Sequence, residues 1–278
     1  MNQKIWLITG VSSGLGRALA EAVIARGDFV VGTFRDARQA DQFTNRYQPD
    51  ALGVLLDVTD AAATDQVFSQ LERRFGRLDV LVNNAGYGLA GAVEETSEAE
   101  TRALFEANFF GPLRLTQRAL PLLRAQGHGR LVQISSHGGV KAFAGFGLYN
   151  ASKFALEGFS EALAQEIAPL GLRLTIVEPG PFRTGFAGGR FRQAAGHLAA
   201  YDATAGAFRQ RMSAVDGQQE GDPAKAAQAI IDMVNSEQPP LRLPLGKVAL
   251  NTIQAKIDSV QQDLNAGREV AAGAVYVP

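Results

Sequence analysis

No cysteine occurs among the 278 residues. That excludes disulfides, thiolate catalysis and cysteine zinc sites, and it is in keeping with a reducing compartment. Histidine is almost as scarce: His128, His137 and His197 are the only three, and their spacing matches no metal-site pattern. Charge of one sign is missing as well. Lys plus Arg (27) offsets Asp plus Glu (28), for a formal net charge of -1. That balance, without acidic or basic runs, is not the footprint of a nucleic-acid binder. No apolar run approaches the roughly 20 residues needed to cross a bilayer. Met1-Asn2-Gln3-Lys4 leads straight into a strand-like segment, which is not how a signal peptide reads. These absences predict a cytoplasmic protein with neither membrane nor nucleic acid as partner.

What is present is a repeating alternation. Short apolar runs at Ile5–Thr9, Phe29–Phe34, Gly53–Leu56, Val80–Val82, Leu131–Ser135, Leu172–Val177 and Leu241–Leu245 read as strands. Most are continuously apolar, as expected for strands covered on both faces. Between them lie helix patterns. Gly14–Arg26 has an apolar stripe and is followed by Gly27 at the C-cap position. Asp60–Phe75 opens on an N-cap acid, and Ser97–Arg124 opens on a capping-box spacing from Ser97 to Glu100. Tyr149–Ile167 is stopped by Pro169 and Gly171, and Asp222–Asn235 follows. The pattern predicts an α/β fold of the Rossmann type: a doubly wound, mostly parallel sheet of about seven strands with helices on both faces. Residues 1–246 read as one catalytic domain. Within it 182–221 is a weakly periodic, substrate-covering segment, and 247–278 is a helical extension.

The first strand ends in Thr9-Gly10-Val11-Ser12-Ser13-Gly14-Leu15-Gly16. Glycines at a strand-to-helix turn let the backbone approach a pyrophosphate, and the helix N-terminus offers free N–H groups and a positive dipole end. The same residues formally contain G-x-S-x-G, a nucleophile elbow, which opens a serine-hydrolase alternative on Ser12. No segment stands out as the acid and histidine that such a site needs.

The glycine pattern is the T-G-x-x-x-G-x-G form, and here the chain resembles the short-chain dehydrogenases/reductases. Four further blocks match that family in order: Asp57-Val58, Asn83-Asn84-Ala85-Gly86, Ser136 with Tyr149-x-x-x-Lys153, and Pro179-Gly180 followed by Phe182 and Thr184. The resemblance runs from about residue 4 to residue 184 and is closest to the retinol- and hydroxysteroid-dehydrogenase-like branch. It implies a nicotinamide dinucleotide held by the glycine turn. Asp57 and Val58 would lie at the adenine, Ala85 and Gly86 would leave room for a ribose, and Pro179, Gly180, Phe182 and Thr184 would lie beside the nicotinamide.

Which dinucleotide is read at the end of the second strand. NAD-preferring relatives carry an acid there for the ribose 2′-OH. Counting from the middle glycine, 34 − 14 = 20, so Phe34 takes that place and Arg35 follows, able to pair with a 2′-phosphate. NADP(H) is the expectation. A register shift of two would instead make Asp36 an NAD-type acid, and Ser13 stands where some NADP-preferring relatives have a second base.

Tyr149 and Lys153 are four residues apart and share a helix face. An ammonium nearby favours the phenolate and is expected to lower the tyrosine pKa toward the working range. The interval 149 − 136 = 13 selects Ser136 over Ser135. The resemblance implies that Ser136 binds the substrate oxygen, Tyr149 transfers the proton and Lys153 also holds the nicotinamide ribose. Asn108 would bind a water linked to that lysine. Phe143, Phe146, Phe186, Phe191, Tyr201 and Phe208 surround this region in sequence and point to an apolar pocket. Arg190, Arg192, Arg209 and Arg211 could meet an anionic group or simply face water. The expectation is an oxidoreductase for a lipophilic ketone, aldehyde or alcohol, in a homodimer or homotetramer built on the long helices. A cofactor-binding regulator without turnover, or an isomerase or dehydratase using the same Tyr and Lys, remains open from the sequence.

Overall fold

A computed structural model describes residues 3–186 and 191–276; Arg190 falls outside them. The apolar runs form a seven-stranded, wholly parallel sheet in the order β3-β2-β1-β4-β6-β7-β9. The strands are β1 (Ile5–Ile8), β2 (Phe29–Phe34), β3 (Ala51–Leu55), β4 (Val80–Asn83), β6 (Gly129–Ile134), β7 (Leu172–Pro179) and β9 (Arg242–Leu245); the short β5 (Gly88–Ala90) and β8 (Phe191–Gln193) pair apart from them. Strand order reverses between β1 and β4, which makes the carboxyl ends of these two strands the switch point where open α/β sheets bind ligands.

Two apolar layers sandwich the sheet. One packs α1 (Gly14–Ala25) and α8 (Pro223–Asn235) around Trp6, Leu19, Val30 and Ile230. The other packs α3 (Ala61–Phe75), α5 (Gly111–Gln126) and α6 (Gly147–Ile167) around Leu7, Phe68, Leu115 and Leu174. Ends follow local chemistry: Asp60 and Asp222 cap α3 and α8, and Ser97 with Glu100 forms the expected capping box on α4 (Glu98–Phe105).

Three features depart from the sequence reading. A helix, α2 (Ala37–Tyr47), fills the gap after β2. Only Ala40 and Phe43 are buried on it, and most of its other residues are polar or charged, so the segment reads as a polar loop. The long helix expected over Ser97–Arg124 is interrupted between α4 and α5 by a π turn at Glu106–Phe110, whose extra residue re-aims the side chains. Residues 191–214, part of the segment after Thr184, are not a plain loop. They hold β8, short turns at Ala199–Tyr201 and Asp202–Gly206, and α7 (Ala207–Ala214). A buried ion pair from Arg209 to Glu95 fastens them down.

The polar C-terminal pattern is α9 (Lys247–Gly273), of which only Ala249 is buried. Leu250, Ile257 and Leu264 face outward at seven-residue intervals. Among the described residues no helix is long and apolar enough to cross a membrane.

Candidate functional site

The switch point is tied together by Thr9. Its hydroxyl donates to Val82 O (3.3 Å) and accepts from the Asn84 and Ala85 N–H groups (2.9 Å each). The Asn84 amide then donates to Thr9 O at 2.7 Å and Gly10 O at 3.2 Å. The glycine turn is packed against this knot. Gly10 adopts φ +70, and a Cβ there would meet Ala85, while one on Gly16 would run into the Asn84 amide. Gly14, at φ +65, leaves the α1 entrance open toward Thr184.

The entrance itself differs from those of α2, α3 and α8. Asp36, Asp60 and Asp222 cap those helices, whereas Ser13 makes no side-chain cap and the first turn of α1 contains no acid. Free N–H groups at a helix start without a carboxylate suit an incoming phosphate. These residues therefore fit a pyrophosphate-bearing dinucleotide.

A cavity of about 290 Å³ opens beside this entrance. Ser13, Gly14, Leu15, Asn84 and Gly86 line it, with Pro179, Gly180, Phe182 and Thr184. Ser136, Tyr149 and Lys153 line it too, as do Phe143, Phe146, Phe186, Phe208 and Met212. Ser136 leaves β6 in extended conformation and accepts from Gly138 N (3.0 Å). The loop after it is pinned to α6 by Asn150, which donates to Gly138 O (2.8 Å) and accepts from Phe143 N (3.0 Å). Asn150, next to Tyr149 in sequence, had no signal of its own.

Tyr149 is 5% exposed and stacks on Phe146 with ring centroids 4.1 Å apart. Burial pushes its pKa up to about 12, with a hydrogen bond to Ser136 pulling the other way. Lys153 donates to Ile134 O (2.8 Å), and burial brings it down to about 8. In the protein by itself, desolvation of the phenolate is the largest influence on Tyr149. Gly86 lets the chain pass close to Asn108, since a Cβ there would lie 2.9 Å from the Asn108 side-chain oxygen.

The π turn delivers Asn108 to the back of this group. Its amide donates to Tyr87 O (2.9 Å) and Ser152 Oγ (3.2 Å), and its oxygen accepts from Tyr87 N (3.1 Å). The side chain is thus committed to the chain itself, and it does not line the cavity.

Nine residues expected at the cofactor lie outside the cavity lining: Thr9, Gly10, Ser12, Gly16 and Ala85 at the glycine turn and the knot beneath it, and Phe34, Arg35, Asp57 and Val58 farther along the sheet edge. Phe34 is buried against Phe43 in the core, so Arg35 is the first exposed side chain after β2. Asp36 is spent as the α2 cap, accepting from Gln39 N at 3.2 Å. Asp57 is exposed and accepts from Thr59 N and Oγ1, and Val58 is buried beside Gly111.

Ser12 is exposed at the turn, and each histidine is engaged or placed elsewhere. His128 is exposed before β6, His137 packs on Phe143 at 5.1 Å between ring centroids, and His197 bonds Asp202 at 2.8 Å. Burial depresses His137 to about 4, so the ring is neutral in the cavity wall. Nothing in this arrangement favours a hydrolase on Ser12.

Comparison with known proteins agrees with the geometry. A family model described as short chain dehydrogenase matches residues 4–195. The 3-ketodihydrosphingosine reductase of Bacteroides thetaiotaomicron is 35% identical over 249 residues, 88% of this chain and 89% of that protein. A solved short-chain dehydrogenase from Streptomyces avermitilis is 46% identical, with a TM-score of 0.93 over 99% of this chain and 100% of that one. The ElxO protein, solved with NADP bound, superposes with a TM-score of 0.75 at 26% identity over 90% of this chain and 100% of its own. With its sheet order, glycine turn and Ser136, Tyr149 and Lys153 in one cavity, this chain belongs to the short-chain dehydrogenase/reductase family of oxidoreductases.

Proposed function

We propose that the chain interconverts a lipophilic ketone or aldehyde and its alcohol with NADP(H), using Tyr149 as the proton donor. The observation that carries this reading is the single cavity joining an uncapped, acid-free helix entrance to a buried phenol beneath an aromatic wall. When bound, the dinucleotide supplies the hydride. Ser13, Gly14, Leu15 and Asn84 would take its phosphates, and Lys153 its nicotinamide ribose. Ser136 orients the substrate oxygen for proton transfer from Tyr149, which is a phenol at neutral pH.

Preference for NADP(H) is supported by the exposed Arg35 and by Asp36 being occupied as a helix cap. An apolar substrate is supported by the Phe143, Phe146, Phe186 and Phe208 wall, and by a relative named for a long-chain ketone. The retinol- and hydroxysteroid-like branch belongs to the same reading.

Residues 1–246 act as the catalytic domain, 182–221 as its cover and 247–278 as an added helix. Exposed Phe110 and Phe154 on the long helices support self-association there, as a homodimer or homotetramer in the cytoplasm. The test is NADPH, then NADH, consumption with lipophilic aldehydes and ketones. Turnover with NADPH supports the reading; tight cofactor binding without turnover on any of them refutes it.

A further inference from the structure

A buried charge cluster lies behind Lys153, and the reaction above gives it no role. Tyr149, Lys153 and Glu157 follow one another at four-residue intervals on α6 and so lie along one stripe. Glu157 is 4% exposed; Glu178, near the end of β7, is fully buried. Arg242 of β9 donates to both and to the outer Glu161. Among the described residues, Glu157 Oε1 and Glu178 Oε2 are sealed without a hydrogen-bond partner. Gly139 roofs the cluster: a Cβ there would lie 3.0 Å from Glu157 Oε1 and 2.5 Å from Ser135 Oγ.

Every element around Glu157 contributes. Helix α6 presents Lys153 and Glu161, β6 leads into Ser135, β7 presents Glu178 and β9 presents Arg242. The turn His137–Gly139 presents backbone, with its histidine ring on Phe143. Burial is the largest force on the carboxylates and, with Glu178 close by, it pushes Glu157 up to about 7 against the pull of Arg242. Glu178 is raised as well. The charge on Glu157 in turn supports the ammonium of Lys153 against its own desolvation.

We propose that Glu157 is a positioning residue for the reaction above, on which this inference rests: with Glu178 and Arg242 it forms a buried proton-exchanging cluster that sets the charge of Lys153. As the pH rises the Glu157–Glu178 pair gives up one proton to solvent water. The negative charge left beside Lys153 then holds its proton over the range where burial alone would release it. A cluster that merely clamped β9 to α6 would have no such effect.

The test is a 15Nζ-lysine NMR titration of the full chain, with the Lys153 signal identified by its loss in Lys153→Arg. Glu157→Gln is expected to lower the Lys153 midpoint by roughly one pH unit. Glu157→Asp should return it toward wild type. Glu178→Gln should move it upward, because Glu157 then ionises at lower pH. The alkaline limb of NADPH-dependent reduction should follow the same shifts. An unmoved midpoint, with only melting temperature or rate amplitude reduced, overturns the proposal. If Glu157→Gln does not fold, the Glu178→Gln midpoint decides in the same way. If no carbonyl substrate is turned over, the proposed reaction fails while the lysine titration still decides the role of the cluster.

Discussion

Reversing one charge at the end of β2 tests the cofactor assignment where the geometry is least ambiguous. Phe34 faces the core and Asp36 caps α2, which leaves the exposed Arg35 as the residue proposed to meet a 2′-phosphate. A charge-assisted hydrogen bond contributes roughly 1.5–3 kcal/mol, equivalent to about 10- to 150-fold in affinity. Arg35→Glu removes that bond and adds repulsion, so NADPH binding should weaken by about 100-fold or more. NADH carries a hydroxyl at that place and should change by less than about threefold, because there is no phosphate charge to repel. Fluorescence titration with each cofactor at two salt concentrations gives both numbers. Salt should weaken NADPH binding in the wild type more than in the variant. Equal losses for the two cofactors refute the assignment. A fall confined to NADH in Asp36→Asn would show that the acid was the reader after all.

Tyr149→Phe should cut turnover by roughly 10² to 10⁴ and leave cofactor titrations unchanged; a rate within a few-fold of wild type removes Tyr149 as proton donor. Reduction should hold through neutrality and decline as the pH rises through about 8, where Lys153 loses its ammonium, while Tyr149 stays a phenol. A rate level to pH 10 would detach Lys153 from the chemistry. Ser13→Asp places a carboxylate at the uncapped α1 entrance and should stabilise the fold by about 0.3–1 kcal/mol while weakening either dinucleotide. Calorimetry and cofactor titration read the two effects, and unimpaired binding would mean that no phosphate sits there.

The sheet was legible because burial on both faces left its strands as continuous apolar runs: all seven were identified, with ends differing by one or two residues. The two helices that flank β3 show what made a helix legible. Helix α3 buries Thr64, Val67, Phe68 and Leu71 and was found, whereas α2 buries only Ala40 and Phe43 and was not. The π turn at Glu106–Phe110 has no composition signal, since a widened turn costs one residue and no change of residue type. Order in the segment after Thr184 depends on partners far away in sequence, such as Glu95 for Arg209 and β5 for β8.

Among the site residues, the sequence identified which side chains meet but not what their meeting does to them. Spacing places Tyr149 and Lys153 on one helix face, and a free pair on such a face would behave as expected, with the phenol lowered by the ammonium. Depth adds desolvation to that pairing. Phe146 stacks on the tyrosine, the lysine is held on Ile134 O, and both lose water, so each moves toward its neutral form. A neutral phenol can give up a proton to a developing alkoxide and is a poor base. The carboxylates behind the lysine were missed for the same reason. Glu157 looks like any glutamate on a helix, and only strands β7 and β9, 21 and 85 residues onward, bring Glu178 and Arg242 to it. Local spacing thus specifies the Tyr149–Lys153 pair, and long-range sheet order specifies the electrostatics around it.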